Sequence, residues 1–250
     1  MKNKNLNNHS LESLLFLCSD FLNELDIPFW LDCGTLLGAY RDKELLKWEK
    51  DVDLSTFKKE IDSNQINKIV VEFRNKGFLV NVFETSICIF NEKLALDIKL
   101  LESKEDFYYE QKSIPKNLFS SAIQVILLNL STEYGCQKFG KTFLNFLLIR
   151  LISNFLKLFP KKLKILIENP LKKIYLNYLS VDVSEAIPKK YFKQFRKFDF
   201  LGRSFSIPEL TEDYLTFRYG KDWRTPNKSW ITAKDDGGYK FFKEKIKKFR

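Results

Sequence analysis

The sequence predicts an α/β protein, in which a mixed β-sheet is flanked by helices and followed by a mostly helical C-terminal half. Three observations predict this fold class. Apolar residues recur at helical spacing from Leu11 to Leu25. Between residues 52 and 100, short apolar or alternating segments have the length and period of strands. From Phe119 onward the apolar residues follow a mainly helical pattern, without obvious repeats.

The elements of the first half follow one another with clear boundaries. Ser10 caps the first helix, and Asp26-Ile27-Pro28 ends it. In the last strand, Leu94, Leu96, Ile98 and Leu100 alternate with Ala95, Asp97 and Lys99, which predicts one buried face. The remaining predicted elements are a strand at 29–31, a short helix at 35–40, a charged loop at 41–50, a strand at 52–57, a helix at 61–75 ending at Gly77, and strands at 78–83, 86–90 and 94–100, the last two joined by a turn at 91–93.

Composition limits the class of protein. The 250 residues have a mean hydropathy of −0.27 and 44% hydrophobic residues, as in ordinary folded proteins. The four cysteines lack CxxC spacing, which argues against a zinc site or a disulfide framework and favours a reducing, cytoplasmic location. The single histidine, His9, excludes Ser-His-Asp and Cys-His mechanisms. We expect a flexible N-terminus over 1–9, without a signal core, a catalytic core over 10–118, and a basic helical region over 119–250 packed on that core.

Charge is unevenly distributed along the chain. Residues 1–140 carry 17 basic and 21 acidic side chains, whereas residues 141–250 carry 25 basic and 11 acidic ones. An acidic first half and a basic second half suit a metal site paired with an anion-attracting surface. Charge alone does not choose among a nucleotide, a nucleic acid, a lipid headgroup and a charged glycan.

A small-residue turn, a pair of aspartates and a later aspartate follow one another in the sequence, and this order points to phosphate chemistry. A small-residue turn at Gly34-Thr35 is followed by Asp51 and Asp53, which point to the same face of a strand because strand side chains alternate. Two carboxylates aimed together repel each other unless a cation lies between them. Asp97, on a later strand, completes a predicted triad for Mg²⁺ or Mn²⁺ and accepts the proton of an attacking hydroxyl. Gly34 and Thr35 would approach the phosphates at the start of a short helix.

The order resembles the nucleotidyltransferase fold shared with DNA polymerase beta, and the fuller strings resemble the LicD family, which includes fukutin and the fukutin-related protein. Family members carry D-G-G-T-L-L-G-x-x-R, which aligns with Asp32 to Arg41 here, and W-D-D-D-[IV]-D, which aligns with Trp48 to Asp53. The family's Y-G-x-D-W-x-x-P aligns with Tyr219 to Pro226. Cys33 replaces a glycine of the family pattern, and Glu49 and Lys50 stand where the family has two further acids.

The resemblance implies transfer of a phosphorylated alcohol, such as phosphocholine or ribitol phosphate, from a CDP-linked donor to a hydroxyl of a cell-surface glycan, releasing CMP. It implies metal-binding and catalytic roles for Asp51, Asp53 and Asp97. Beside them we expect Arg41 and Lys50 to contact phosphate oxygens. Tyr219 and Trp223 would form a wall for the base or the acceptor sugar, although burial in the core explains Trp223 equally well.

Alternative functions remain open at this stage. The same triad suits a nucleotidyltransferase that acts on RNA or a small molecule from a nucleoside triphosphate, although nucleic acid is the less favoured partner. A basic binding module with a vestigial site is the third hypothesis. The apolar run Phe143–Phe159 predicts either a core helix or a basic amphipathic helix, extended by Lys161 and Lys164, on the anionic inner face of the cytoplasmic membrane. In the second case the glycan acceptor would be lipid-linked.

Overall fold

The computed structural model describes residues 10–131 and 158–248, together with Phe155. Within these residues the helices are α1 (Leu11–Glu24), α2 (Cys33–Leu37), α3 (Ser63–Asn75), α4 (Leu118–Ser131), α5 (Lys161–Ile174), α6 (Thr211–Tyr219), α7 (Thr232–Asp235) and α8 (Gly237–Lys248). The strands are β1 (Trp30–Leu31), β2 (Asp51–Phe57), β3 (Leu79–Val82), β4 (Ser86–Phe90), β5 (Ala95–Lys104), β6 (Phe107–Glu110), β7 (Ser113–Pro115), β8 (Ser180–Asp182), β9 (Glu185–Pro188), β10 (Phe195–Phe200) and β11 (Arg203–Pro208).

A mixed sheet forms the centre of the fold. Its strands run in the order β1-β2-β5-β4-β3, and β6 pairs with both β5 and β9. Strands β2 and β5 are parallel neighbours, whereas β1–β2, β3–β4 and β4–β5 are antiparallel. This arrangement of a mixed sheet with flanking helices confirms the predicted fold class.

The hydrophobic pattern explains how the sheet is covered. In β5, Leu96, Ile98 and Leu100 are buried, as their alternation predicts. The helix α1 begins with a capping box in which Ser10 and Ser13 exchange hydrogen bonds. Its buried residues, Leu14, Leu15, Cys18 and Leu22, recur at helical spacing and join the same core as β2 and β5.

The C-terminal half is rich in helices, as predicted, but it also holds four strands that the prediction did not contain, β8 to β11. Strands β10 and β11 form a hairpin whose turn, Leu201-Gly202, has positive φ at both residues. Strand β9 pairs with β6, so the sheet continues across the predicted boundary between residues 118 and 119. These strands are short and partly charged, which hides their period in the sequence.

Some predictions fall on residues that lie outside the described part of the chain. They concern residues 1–9 and most of the run Phe143–Phe159, including Arg150 and Lys157. A helix begins at Lys161, which meets the condition for Lys161 and Lys164 to extend that run. Among the helices that the structure describes, none has the length and apolar character that crossing a bilayer requires.

Candidate active site

The three predicted aspartates come together on two central strands. Asp51 and Asp53 lie on β2, and Asp97 lies on the parallel neighbour β5, where it is the register partner of Asp53. Because side chains alternate along a strand, all three belong to one face of the sheet. Each side chain is partly exposed. The structure therefore assembles the predicted carboxylates at one place.

The pKa values of the two β2 aspartates are raised. Burial, followed by the negative charge of Asp97, raises the pKa of Asp51. Burial also raises the pKa of Asp53 well above its usual range, with Asp97 and Asp51 adding to the effect and the Lys99 ammonium opposing it. A bound cation would remove this repulsion, because it stabilises the ionised forms of all three groups.

Glu49 extends the aspartates into what we call the carboxylate row: Glu49, Asp51, Asp53 and Asp97. Burial and the charge of Asp51 raise the pKa of Glu49 to about 7, against the opposing charge of Arg41. A Cβ atom at residue 34 would overlap the Glu49 carboxylate, so Gly34 leaves the room that this carboxylate occupies. In the sequence, Glu49 stood out only as a departure from the family pattern. The spacing of Glu49, Asp51 and Asp53 at i, i+2 and i+4 is the signal that could have placed Glu49 with the aspartates.

The donor chemistry of the row fits a hard divalent cation. Carboxylate oxygens are the ligands that Mg²⁺ and Mn²⁺ prefer, and Mg²⁺ commonly takes one or two protein carboxylates together with substrate phosphates. Among residues 10–131 and 158–248, the side chains do not form a closed group of three His, Cys, Asp or Glu ligands. Mg²⁺ or Mn²⁺ therefore remains a prediction that rests on the type and placement of the donors.

The turn at residues 32–35 lies behind the carboxylate row and supports it through hydrogen bonds. Asp32 is fully buried and accepts hydrogen bonds from the Cys33 N–H (2.7 Å), the Ser55 hydroxyl (2.6 Å) and the Tyr214 hydroxyl (2.6 Å). The buried Thr35 hydroxyl accepts the N–H of Asp53 at 2.8 Å. We expected Thr35 to face a phosphate, but this contact makes it a support of β2.

Arg41 contacts protein groups in the structure, whereas the expected phosphate contact of Lys50 stays a prediction. The Arg41 guanidinium makes two hydrogen bonds of 2.7 Å to the carboxylate of its neighbour Asp42, and its Nη1 donates to the Trp223 carbonyl at 3.1 Å. The Arg41 guanidinium, which was predicted to bind a diphosphate, thus links the segment 32–41 to the segment 219–226. Lys50 is exposed, and its carbonyl accepts the N–H of Ala95 at 3.1 Å.

A cavity of about 460 Å³, here called the aromatic cavity, is lined by residues of all three family segments, at 32–41, 48–53 and 219–226. Arg41, Trp48 and Glu49 line it from one side, and the distal segment with Tyr219 and Trp223 lines it from the other. Trp223 lines this cavity but is also a buried core residue, so its role as a wall for a base or an acceptor sugar stays a prediction. The distal segment turns sharply after α6 at Gly220, whose φ of +84° is one that favours glycine. The further lining residues are Leu37, Leu46, Gly220, Lys221, Asp222, Thr225, Pro226, Asn227 and Trp230.

A cavity of about 950 Å³, here called the large cavity, opens at the other end of the carboxylate row. Asp97, Cys88, Lys99, Glu110 and Lys112 contribute its polar lining. The Cys88 thiol donates a hydrogen bond to Asp97, and its pKa is raised by burial and by that carboxylate. Helices α4 and α5 supply further lining residues. Of these cavity residues, only Asp97 had a role predicted from the sequence.

Buried ion pairs connect the large cavity to the C-terminal half. The Lys99 Nζ lies 3.0 Å from Glu110 and 3.1 Å from Glu185, and Arg218 pairs with the same Glu185 oxygen at 3.1 Å. Arg218 also donates to Asp236 at 2.8 Å. Because the partners are far apart in sequence, no local pattern could have predicted these pairs.

Comparison with known proteins finds a family match over the part of the chain that holds the carboxylate row. Residues 26–117 match the family described as LicD/FKTN/FKRP, nucleotidyltransferase domain. Human ribitol-5-phosphate transferase FKTN is 40% identical over 68 residues, which are 27% of this chain and 14% of the human protein. The mouse protein of the same name is 36% identical over 66 residues, 26% of this chain and 13% of its own length. The chain thus matches only a small part of these relatives.

More distant likenesses extend the comparison. The uncharacterized protein RP689 of Rickettsia prowazekii (strain Madrid E) is 28% identical over 102 residues, which cover 40% of this chain and 36% of that protein. The crystal structure of ANT(2″)-Ia with adenylyl-2″-tobramycin has a TM-score of 0.30 at 18% identity and covers 38% of this chain and 52% of its own. The solution structure of ANT(2″)-Ia has a TM-score of 0.30 at 12% identity and covers 65% and 91%. Over residues 26–117, the chain is thus similar to the family described as LicD/FKTN/FKRP, nucleotidyltransferase domain, and this range contains the carboxylate row and the turn that supports it.

Proposed function

We propose that this chain transfers a phosphorylated alcohol, such as ribitol phosphate or phosphocholine, from a CDP-linked donor to a hydroxyl of a glycan, with release of CMP. One observation carries the proposal: the carboxylate row reaches from the aromatic cavity, lined by Glu49, to the large cavity, lined by Asp97. A transferase needs two substrates to meet at one set of charged groups. The human relative is a ribitol-5-phosphate transferase by name, which supports the same class of activity.

The aromatic cavity suits the nucleotide of the donor. Trp48 lines it with 37% of its surface exposed, and the Tyr219 and Trp230 rings lie 5.0 Å apart at its distal side. Exposed aromatic faces stack on nucleobases. The ammonium of Lys221, also in the lining, would attract the diphosphate. We therefore assign the CDP moiety to this cavity.

The large cavity suits the acceptor substrate. The carboxylate of the row that lines this cavity is the one that we assign to take the proton. The acceptor oxygen forms a bond to the phosphorus that carries the alcohol, while the bond from that phosphorus to the CMP oxygen breaks and CMP leaves with the electron pair. The hydroxyl proton passes to Asp97, the carboxylate that lines this cavity. Glu49, in the aromatic cavity, lies on the donor side and is not assigned this role.

Asp51 and Asp53, with Asp97 beside them, are the residues that would hold Mg²⁺ or Mn²⁺. When bound, the ion neutralises the charge of the donor diphosphate. The buried turn fixes the position of β2 through the hydrogen bond from Asp53 N–H to Thr35. The side chains of Asp51 and Asp53 therefore project from a strand whose position is fixed, which favours a preorganised site.

The proposal is tested by the group that is transferred. The protein is incubated with Mg²⁺ and CDP-choline, CDP-ribitol or CDP-glycerol, with and without candidate glycans, and CMP release is measured. We expect CMP release that depends on the acceptor, and a loss of at least about 10³-fold in Asp53→Asn, because such a group stabilises the transition state by several kcal/mol. Asp199→Asn, an exposed aspartate on β10, is the matched control and should retain full activity.

Two outcomes would overturn the proposal. Release of pyrophosphate from a nucleoside triphosphate, with no turnover of any CDP-alcohol, would identify a nucleotidyltransferase acting on RNA or a small molecule. Equal activity of Asp53→Asn and the wild type would show that the carboxylate row is not the catalytic site.

A further inference from the structure

Helix α5 has the reverse of the usual pattern of an amphipathic helix. Its polar residues Glu168 and Lys172 line the large cavity, and Lys172 pairs with Glu84 at 2.6 Å. Its outward residues are largely aliphatic, and Leu166 is 71% exposed. A helix on the surface of a protein in water normally places its apolar stripe inward. This arrangement indicates that the outer face of α5 meets something other than water.

More exposed apolar side chains belong to the segments beside α5. Ile114 of β7 and Val181 of β8 are cross-strand partners, and both are exposed. At the start of α4, which packs against α5, Leu118 and Phe119 are 67% and 65% exposed. Large exposed apolar areas mark surfaces that bind a partner or a membrane. We call the following residues the apolar surface: Ile114, Leu118, Phe119, Leu158, Leu163, Ile165, Leu166, Ile174, Tyr178 and Val181.

Lysines accompany this surface, and acidic residues are scarce in it. Residues 158–181 contain five lysines and one acidic residue. Lys162 and Lys173 are exposed and lie within about 40° of Leu166 around the α5 axis, at about 100° per residue. Aliphatic side chains next to lysines suit the boundary of an anionic bilayer, where the chains enter the apolar layer and the ammonium groups reach the lipid phosphates.

We propose that the apolar surface docks this protein on an anionic lipid membrane, with α5 lying along the bilayer. Each lysine near such a surface contributes about 1 kcal/mol of attraction, and the buried aliphatic side chains add to it. The docking itself does not depend on the proposed function. If the proposed function holds, docking brings the large cavity close to the lipid headgroups, because α5 contributes to both. A lipid-linked glycan would then be the fitting acceptor.

Flotation with vesicles tests the docking. Vesicles of phosphatidylcholine alone are compared with vesicles of phosphatidylcholine and phosphatidylglycerol in equal parts. We expect the wild type to float with the anionic vesicles only, and Lys162→Glu/Leu166→Glu to reduce the bound fraction at least about tenfold, because the net charge of this face falls by three and one aliphatic side chain is lost. Lys68→Glu/Val71→Glu makes the same pair of changes on exposed residues of α3 and should bind as the wild type does.

A charge-only variant keeps the test informative if the first one does not fold. Lys162→Gln/Lys173→Gln preserves Leu166 and should weaken binding in a way that added salt reproduces in the wild type. No flotation of the wild type, or equal losses in the α5 and α3 variants, would overturn the proposal. It would also be overturned if sedimentation showed a wild-type dimer that the α5 variants disrupt, because a second copy of the chain would then cover the surface.

Discussion

The aromatic cavity and the large cavity are built in different ways, although one carboxylate row joins them. The aromatic cavity is formed mostly by residues of the three family segments, from Arg41 and Trp48 on one side to Tyr219 and Trp223 on the other. The large cavity is formed mostly by residues outside those motifs, including Cys88, Lys112 and Lys172. Under the proposed function, the motifs would specify the donor half of the site, and other residues would specify the acceptor.

Glu185 is the residue whose loss should break the connection between the two cavities. It pairs with Lys99, which lines the large cavity, and with Arg218, which precedes Tyr219 of the aromatic cavity. We expect Glu185→Gln to lower the free energy of unfolding by about 3–5 kcal/mol, because both cations lose a buried partner. Urea unfolding measures this change. Glu72→Gln, which removes an i,i+4 pair on α3, is the control and should change it by less than about 0.5 kcal/mol.

The same variant has a defined pH dependence. Burial alone would raise the pKa of Glu185, but Arg218 and Lys99 outweigh it and lower the pKa to about 2 from an ordinary value of 4.5. The folded protein therefore holds this proton less tightly than the unfolded chain does. The stability difference between wild type and Glu185→Gln should be full above about pH 4.5 and shrink as the pH falls toward 2. A difference that does not change over this range would contradict the assignment.

A pair of variants tests whether the cavities serve different substrates. Trp48→Ala removes a stacking face from the aromatic cavity and should raise the KM for the CDP-linked donor about tenfold, within the 1–3 kcal/mol of one stacked base. Lys112→Met removes a cation from the large cavity and should raise the KM for the acceptor by a similar factor. Steady-state kinetics with each substrate varied in turn separate the effects. If either variant changed both KM values equally, the assignment of donor and acceptor to separate cavities would be wrong.

The part of the site that the sequence predicted is the part set by local geometry. Asp51 and Asp53 share a face because alternation along one strand requires it, and Asp97 joins them through a single strand pairing. Arg41 was expected to contact a phosphate because a guanidinium group binds phosphate oxygens in pairs, with an ion pair as the alternative, and in the structure it pairs with its neighbour Asp42. The pairing of Lys99 with Glu185 joins residues 86 positions apart, and only the folded chain brings them together.

The secondary structure shows the same division. Helices α1 and α3 and strands β2 to β5 have strong apolar periods, and the sequence predicted each of them close to its observed bounds. Strands β8 and β9 have three and four residues, too few to establish a period, and their pairing partners lie far away in the chain. Short strands of this kind are stabilised by the sheet that they join more than by their own composition.

The smallest expected effect concerns the turn that leaves room for Glu49. Cys33 has a φ of +47°, a backbone conformation that disfavours any side chain with a Cβ, whereas Cys18 lies inside α1. Both thiols are buried. At each position the Ala and Gly variants both lack the thiol. The difference in stability between them therefore reports on the backbone conformation. At position 33, Gly should be more stable than Ala by about 1 kcal/mol, because the Cβ penalty is relieved.

At position 18 the order should be reversed, with Ala more stable than Gly by about 0.5–1 kcal/mol, as inside any helix. Urea unfolding of the four variants measures both differences. If Ala were favoured at both positions, the turn at Cys33 would not hold the left-handed backbone. The place that Gly34 leaves for the Glu49 carboxylate would then need another explanation, because that place depends on the path of this turn.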